Sequence, residues 1–394
     1  MKPSGNSRIY LDNAATSFPK PDCVYDAVEQ YMRNNGSPFG RGSHATGDAA
    51  TQLVVQCRHR LALILGAASP SEIAFTFNCT DGLNLLLRGC LSAGDRVVTS
   101  TLEHNSVLRP LTQLQDELQL EIVNVGFDVN SGLVDESEMI RQLSSKRTKL
   151  MVLNHASNVT GIVQPVKRLC QAAHEKKALF LLDAAQTVGH LPFSVADLQI
   201  DMLASAGHKG LLGPLGTGVV YIRSGLESQL KPVRCGGTGT QSESLQQPTT
   251  MPAMLESGNH NMPGLVGLAA ASEWLLQHDI AAMHRQIAAH TKRLKSKLTS
   301  IAGVTVHVAD SVAENVGIVS FVIAGMDSRE AAVILDQSFQ IQCRAGLHCA
   351  PLVHEALKTS SSGGSIRLSP GVFTTDNDIE TAIDAIEQLT AAVA

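Results

Sequence analysis

"ALFLLDAAQTVGH" (178–190) and "DMLASAGHKGLLGPLGTG" (201–218) decide how this chain is to be read. Each opens with an apolar run of strand length and turns at once to small and polar residues. The first yields Asp183 and Gln186, and the second Ser205, His208 and Lys209. A run that is apolar at consecutive positions buries both faces of its strand, which requires helices on both sides of the sheet. The same pattern recurs in "IAFTF" (73–77), "RVVTS" (96–100), "KLMVLNH" (149–155) and "GVVYIR" (218–223), with amphipathic stretches between. The expected fold is α/β, a large domain with a mostly parallel central sheet flanked by helices.

Sites in such sheets lie at the carboxyl ends of the strands. There the sequence gathers Thr80, Asp81, Glu103, His104 and Asn158 alongside Asp183, His208 and Lys209. Beyond "NMPG" (261–264) the pattern changes to long helices up to about residue 300. "VTVHVAD" and "GIVSFVI" follow, then a helix opening at Asp327 or Ser328 and a last helix from about Asp376. This predicts a smaller α+β domain and a boundary near Pro263. Residues 19–263 are assigned to the large domain, and 1–18 with 264–394 to the small one. "KTSSSGGS" (358–365) is a short low-complexity tract expected to be mobile.

A net charge of −5 over 394 residues gives no field to hold nucleic acid or an anionic membrane. The start lacks the apolar core of a secretory signal and no window reads as a membrane span, so a cytoplasmic protein with a small-molecule substrate is expected. Eight cysteines (Cys23, Cys57, Cys79, Cys90, Cys170, Cys235, Cys343, Cys349) include no C-x-x-C pair, which disfavours a zinc ribbon and a disulfide framework.

Small and apolar flanks argue against a surface ion pair between Asp183 and Lys209. A lysine at a strand end in an enclosed site has its proton affinity lowered toward the nucleophilic range. A Schiff-base lysine with an acidic partner for a pyridinium nitrogen is what pyridoxal phosphate requires of its protein. His104 is placed to lie on such a ring, with a hydrogen-bonded core histidine as the alternative reading. Thr80, ahead of an amphipathic helix, suits a phosphate, and Ser205 and His208 add donors. "GPLGTG" (213–218) precedes a strand rather than opening a helix, so it does not meet the dinucleotide fingerprint.

"RAGLHCAPLVHE" (344–355), with Cys343 ahead of it, crowds thiols and imidazoles together. Cys343, His348, Cys349 and His354 lack zinc-finger spacing, and no metal site is expected. A buried thiol and a loop nucleophile at Cys349 both fit the residues, and Arg344 and His348 are expected to favour its thiolate.

In order along nearly the whole chain, "YLDNAATSFPKP" (10–21), "RGSHATGDAA" (41–50), "FNCTDGLNLLLRG" (77–89), "STLEHNSVLRPL" (100–111), "NHASNVTGIVQP" (154–165), "LDAAQTVGHLPFSV" (182–195), "AGHKGLLGPLGTG" (206–218), "LESGNHNMPG" (255–264), "RAGLHCA" (344–350) and "IRLSPGVFTT" (366–375) resemble the class V aminotransferase family of fold type I pyridoxal phosphate enzymes. Within it they resemble the cysteine desulfurases, and the compact "RAGLHCAP" loop resembles the group II, Suf-type branch. The resemblance implies a pyridoxal 5'-phosphate Schiff base on Lys209, a ring-nitrogen partner in Asp183, Gln186 facing the phenolic oxygen and His104 stacked on the ring. It implies phosphate contacts from Thr80, Ser205 and His208, and from Asn259 of a neighbouring subunit.

Asn158 and Arg367 would hold the substrate carboxylate, Ala14 and Ala15 would line the pocket, and Arg41 to His44 would lie near its mouth. Cys349 would be the nucleophile that carries sulfur from L-cysteine as a persulfide, leaving L-alanine, with Lys209 moving the Cα proton and His104 serving the substrate thiol as acid or base. A mobile Cys349 loop, a homodimer and a sulfur-acceptor protein or reductant are expected with it. The alternative is a selenocysteine or cystine lyase, or another enzyme of the family; a scaffold without chemistry is the reading from a different class. Two departures from the family stand out: Cys79-Thr80 replaces Thr-Thr, and "ESGN" puts Asn259 where a threonine is usual.

Overall fold

The structure is a computed structural model, and it describes residues 8–40 and 44–392. Strand β1 (Ile9–Tyr10) and helices α1 (Asp22–Asn34) and α2 (Ala45–Leu65) precede the main sheet. The sheet then alternates with helices: β2 (Ile73–Thr76), α3 (Cys79–Cys90), β3 (Arg96–Ser100), α4 (Asn105–Leu118), β4 (Glu121–Val125), α5 (Glu136–Ser145), β5 (Leu150–Asn154), α6 (Val166–Glu175), β6 (Leu179–Asp183), β7 (Met202–Ala206) and β8 (Gly218–Ile222).

These seven strands are ordered β2-β8-β7-β6-β5-β3-β4. Every pairing from β7 through β4 is parallel, and β8 alone runs against its two neighbours.

Strand periodicity explains the layers. Phe75, Val98, Met151, Leu153, Phe180, Leu182, Leu203 and Val219 point to one face, into a core closed by α1, α2, α5 and α6. The alternate residues Ala74, Val97, Leu150, Val152, Leu181, Met202, Ala204 and Val220 point to the other, against α3 and α4. β4 escaped the sequence reading because it is an edge strand with Glu121 and Asn124 exposed, so its apolar run is broken.

Helix α7 (Met262–Gln277) begins beside Pro263, yet its Leu265, Leu268, Ala271 and Leu275 join the core of the first sheet face. α7 packs on α1 and α2, so the change in packing falls after it. Then come α8 (Ile280–Thr299), β9 (Val304–Val306), β10 (Val319–Ile323), α9 (Ser328–Phe339), β11 (Ile341–Gln342), β12 (Arg344–Gly346), α10 (Pro351–Ala356), β13 (Ser365–Leu368) and α11 (Asp376–Ala391).

The second sheet, β12-β13-β10-β9, is antiparallel throughout. α8, α9 and α11 pack on it around Phe321, Leu335, Ile366 and Ile383. β1 pairs in parallel with β11, bringing Ile9 and Leu11 into this same core. Asp327 caps α9 through the amides of Arg329 and Glu330. The "KTSSSGGS" tract takes a 3-10 turn at Ser360–Ser362 and enters β13 at Ser365.

Phe180, fully buried in the middle of the main sheet, is a strict test of this core. Phe180→Ala should lower unfolding stability by about 3–5 kcal/mol in urea titration. A loss below about 1 kcal/mol would contradict the packing described.

Candidate active site

A cavity of about 190 Å³ opens at the carboxyl ends of the parallel strands, where the topology requires it. Its lining includes Thr80, His104, Asn158, Asp183, Gln186, His208 and Lys209, all expected from the sequence, together with Asn78, Cys79, Ser106 and Asn154, which were not. Asp183 ends β6, and Lys209 follows β7 in the next strand over.

Both groups have lost water. Burial raises the Asp183 carboxyl above its usual range, and burial lowers the Lys209 ammonium, opposed by Cys79 and Asp183. Burial is the largest cause of both shifts, the charge of each group opposes the shift of the other, and no ion pair joins the two among the described residues. Asp183 Oδ1 accepts from the Ala185 amide at 3.0 Å and from the Cys79 thiol at 3.5 Å. Oδ2 takes no hydrogen bond, yet it is not among the enclosed unpartnered atoms, so it keeps access to the cavity.

The backbone before Lys209 is pinned: the Thr16 and Ser17 hydroxyls and the Lys20 ammonium all donate to the His208 carbonyl. Burial lowers Lys20 to about 7. Gly216, at φ +77, supplies the left-handed turn that returns the chain to β8. Gly218 lets β8 approach the end of β2, since a Cβ there would lie 2.6 Å from the Asn78 carbonyl carbon.

His104 caps α4. Its Nδ1 accepts from the Ser106 amide at 3.0 Å, which leaves the ring proton on Nε2. Burial, with Lys209 and the arginines, pushes the imidazole down to about 3, so it is neutral at physiological pH. Ser106 Oγ lies 2.8 Å from His104 Nδ1 and 2.7 Å from Thr80 Oγ1, linking the starts of α3 and α4. His208 is likewise lowered to about 4 by burial.

The small sheet reaches the edge of the site through Arg367. Arg367, 1% exposed on β13, donates from Nη1 to the Asn158 carbonyl at 3.0 Å and from Nη2 to Asp12 Oδ1 at 2.8 Å. Gln186 Nε2 donates to the Ala14 carbonyl at 3.1 Å, and Ala15 follows in the same turn. Arg367, Ala14 and Ala15 thus adjoin the lining without being part of it.

Ser205 does not reach the cavity. Its hydroxyl donates to the Ala184 carbonyl at 3.1 Å within the sheet, because strand alternation turns it inward. Asn259 is exposed and outside this cavity. Arg41 to Ser43 lie outside the described residues, and His44 caps α2.

Cys349 is exposed, in the turn between β12 and α10, with Arg344 Nη2 3.9 Å from its sulfur. His348 does not assist it. Its imidazole is buried, neutral by depression to about 2, and turned to the Ser365 carbonyl at 3.0 Å. His348 and Cys349 both take left-handed backbone, at φ 48 and 57. The turn is anchored: the His348 carbonyl accepts from Asn158 Nδ2 at 2.6 Å, and the Cys349 carbonyl from the Asn105 amide at 2.7 Å. Such anchoring is unlike the mobile loop expected from the sequence.

An α/β fold with this cavity is that of a class of enzymes built around a lysine at a strand end. The chain belongs to the class-V aminotransferase family, whose model matches residues 9–381. It is 33% identical over 97% of its length to a probable cysteine desulfurase of Methanothermobacter thermautotrophicus, covering 94% of that protein. A probable cysteine desulfurase of Vibrio cholerae is 32% identical over 98% of this chain and 94% of its own. The apo structure of a cysteine desulfurase from Thermococcus onnurineus superposes with a TM-score of 0.90 at 32% identity, covering 98% of this chain and 96% of that one.

Glu103, beside His104, is fully buried, and its carboxyl is pushed up to about 8, burial being the largest cause. Its Oε1 accepts from Ser100 Oγ at 2.7 Å and the Asn154 amide at 3.1 Å. Oε2 is enclosed without a partner among the described residues, which suits a protonated acid better than a carboxylate. A raised acid releases its proton on unfolding, so its contribution to stability falls as pH rises toward 8, by up to about 1.4 kcal/mol per unit. Thermal melts of Glu103→Gln should lose this decline between pH 6.5 and 8. Parallel wild-type and variant curves would mean that Glu103 is ionised.

Proposed function

We propose that this chain is a pyridoxal-phosphate-dependent cysteine desulfurase that converts L-cysteine to L-alanine and takes the sulfur onto Cys349 as a persulfide. The carrying observation is the set of groups left unmatched around one cavity. Asn154 Oδ1, Asn158 Oδ1 and His208 Nδ1 are enclosed without a partner among the described residues, Asp183 Oδ2 takes no hydrogen bond there, and Lys209, lowered by burial, lies in the same lining. Buried polar atoms are rarely left unpaired in a native protein, so this cavity suits a polar ligand.

The residues fit pyridoxal phosphate. Lys209 would hold it covalently, Asp183 Oδ2 would accept from its ring nitrogen, and Gln186 would face its phenolic oxygen. His104 would cover the ring face. Its phosphate would sit at the start of α3 with Thr80 and His208, where amides and hydroxyls favour an anion. When bound, the group supplies the electron sink that stabilises charge developing at the substrate Cα.

Arg367, from the small sheet, and Asn158, from the turn after β5, would hold the substrate carboxylate. Lys209, its proton affinity lowered by burial, carries the proton at Cα. With its proton on Nε2 and its imidazole neutral, His104 serves as a hydrogen-bond donor in this state rather than as a base. Cys349 Sγ attacks the substrate sulfur: the S–S bond forms, the C–S bond breaks, and the carbon product takes up a proton as alanine.

The persulfide then passes to an acceptor protein or reductant. A homodimer is part of this reading. Phe77, directly before Asn78, is exposed, as is Leu215, and such apolar surface suits cover by a second copy whose Asn259 would reach the phosphate. Among the described residues no helix is long and apolar enough to cross a membrane, and a cytoplasmic setting is part of the proposal.

Cys349→Ala should keep the visible absorption of the bound cofactor while alanine formation from cysteine falls on the order of a thousandfold or more. Lys209→Ala should lose both. Undiminished alanine formation by the Cys349 variant would move the assignment to a lyase that does not use this thiol.

A further inference from the structure

Cys79 is the second thiol of the site. It lines the cavity, is almost wholly buried, and stands at the first position of α3. The proposed chemistry leaves it without a role. Its surroundings are specific: Sγ lies 3.5 Å from Asp183 Oδ1, and the Ala185 amide reaches that same oxygen at 3.0 Å. Both hydrogen bonds to the Asp183 carboxylate among the described residues therefore fall on one oxygen.

We infer that Cys79 is a positioning residue for Asp183, its thiol donating to Oδ1 so that Oδ2 is the oxygen presented to the ring nitrogen of the cofactor. The inference rests on the assignment of pyridoxal phosphate to this cavity. A thiol donates weakly, so it orients the carboxylate while drawing off little of its charge. A hydroxyl in the same place donates more strongly and shifts charge away from Oδ2.

Burial holds the thiol well above its ordinary range, so it remains a neutral donor rather than a competing anion. The same burial separates it from Cys349: one thiol is enclosed and protonated, the other exposed to reagents and substrate.

The test uses cofactor-loaded protein carrying Cys79→Ser, Cys79→Ala or Cys79→Val, and reads the pH midpoint at which the visible absorption band of bound pyridoxal phosphate shifts. Removing the donor leaves more negative charge facing the cofactor, and a nearby negative charge favours its protonated form. Ala and Val variants should therefore move the midpoint upward together, by about half a unit. Ser should leave it at or below the wild-type value.

Ala and Val differ in volume but share the missing donor, so a purely packing role would separate them. Equal midpoints in all four proteins, or Ala and Val moving apart while Ser follows neither direction, would overturn the inference. A wild-type chain that forms no visible band with added pyridoxal phosphate would overturn the cofactor assignment and this inference with it. A normal wild-type band with an unmoved midpoint in the variants would defeat the Cys79 role alone.

Discussion

Lys209 and Asp183 share a cavity at the strand ends, and burial shifts both groups further than their mutual attraction restores. Desolvation is thus the constraint on which the site depends. A direct ion pair would hold both groups charged and satisfied. Burial instead lowers the proton affinity of the amine, and the carboxylate keeps one oxygen without a hydrogen bond. The arrangement survives because the rest of the wall is built from groups that tolerate neutrality: His104 and His208 are both held well below the usual imidazole range.

The second sheet matters because its Arg367 bonds to Asn158, a residue of the cavity wall, and follows the opposite charge logic. Arg367 stays cationic although enclosed, since Asp12 and the Asn158 carbonyl take its donors. Asp12 comes from the N-terminal segment and Asn158 from the turn after β5. One guanidinium therefore ties together three parts of the chain that are remote in sequence.

Much of this was legible beforehand, for physical reasons. Strands buried on both faces leave near-continuous apolar runs, so six of the seven main strands could be read, while β4 was hidden by its exposed edge. Asp183 and Lys209 were legible because a charged residue directly after such a run has few structural explanations. Ser106, Asn154 and Cys79 were not, since polar residues at helix starts and strand ends are ordinary there, and only three-dimensional convergence distinguishes them.

Two errors of placement share one origin. Ser205 and His348 are adjacent in sequence to residues of the site, but strand alternation and a left-handed turn aim their side chains elsewhere. The packing of α7 was missed for a related reason: Pro263 marks where a helix starts, and nothing in a proline says which core that helix joins.

The two carbonyl anchors at His348 and Cys349 bear on traffic as well as geometry. A thiol on a tether can ferry its cargo outward; one whose backbone is tied to α4 and to Asn158 is a fixed berth. On the proposed role of Cys349, sulfur held there would be collected in place, and the geometry of delivery would be set by how far an acceptor's own nucleophile can reach toward the β12–α10 turn. Selectivity among acceptors then becomes a matter of the shape of the visitor rather than the swing of the host.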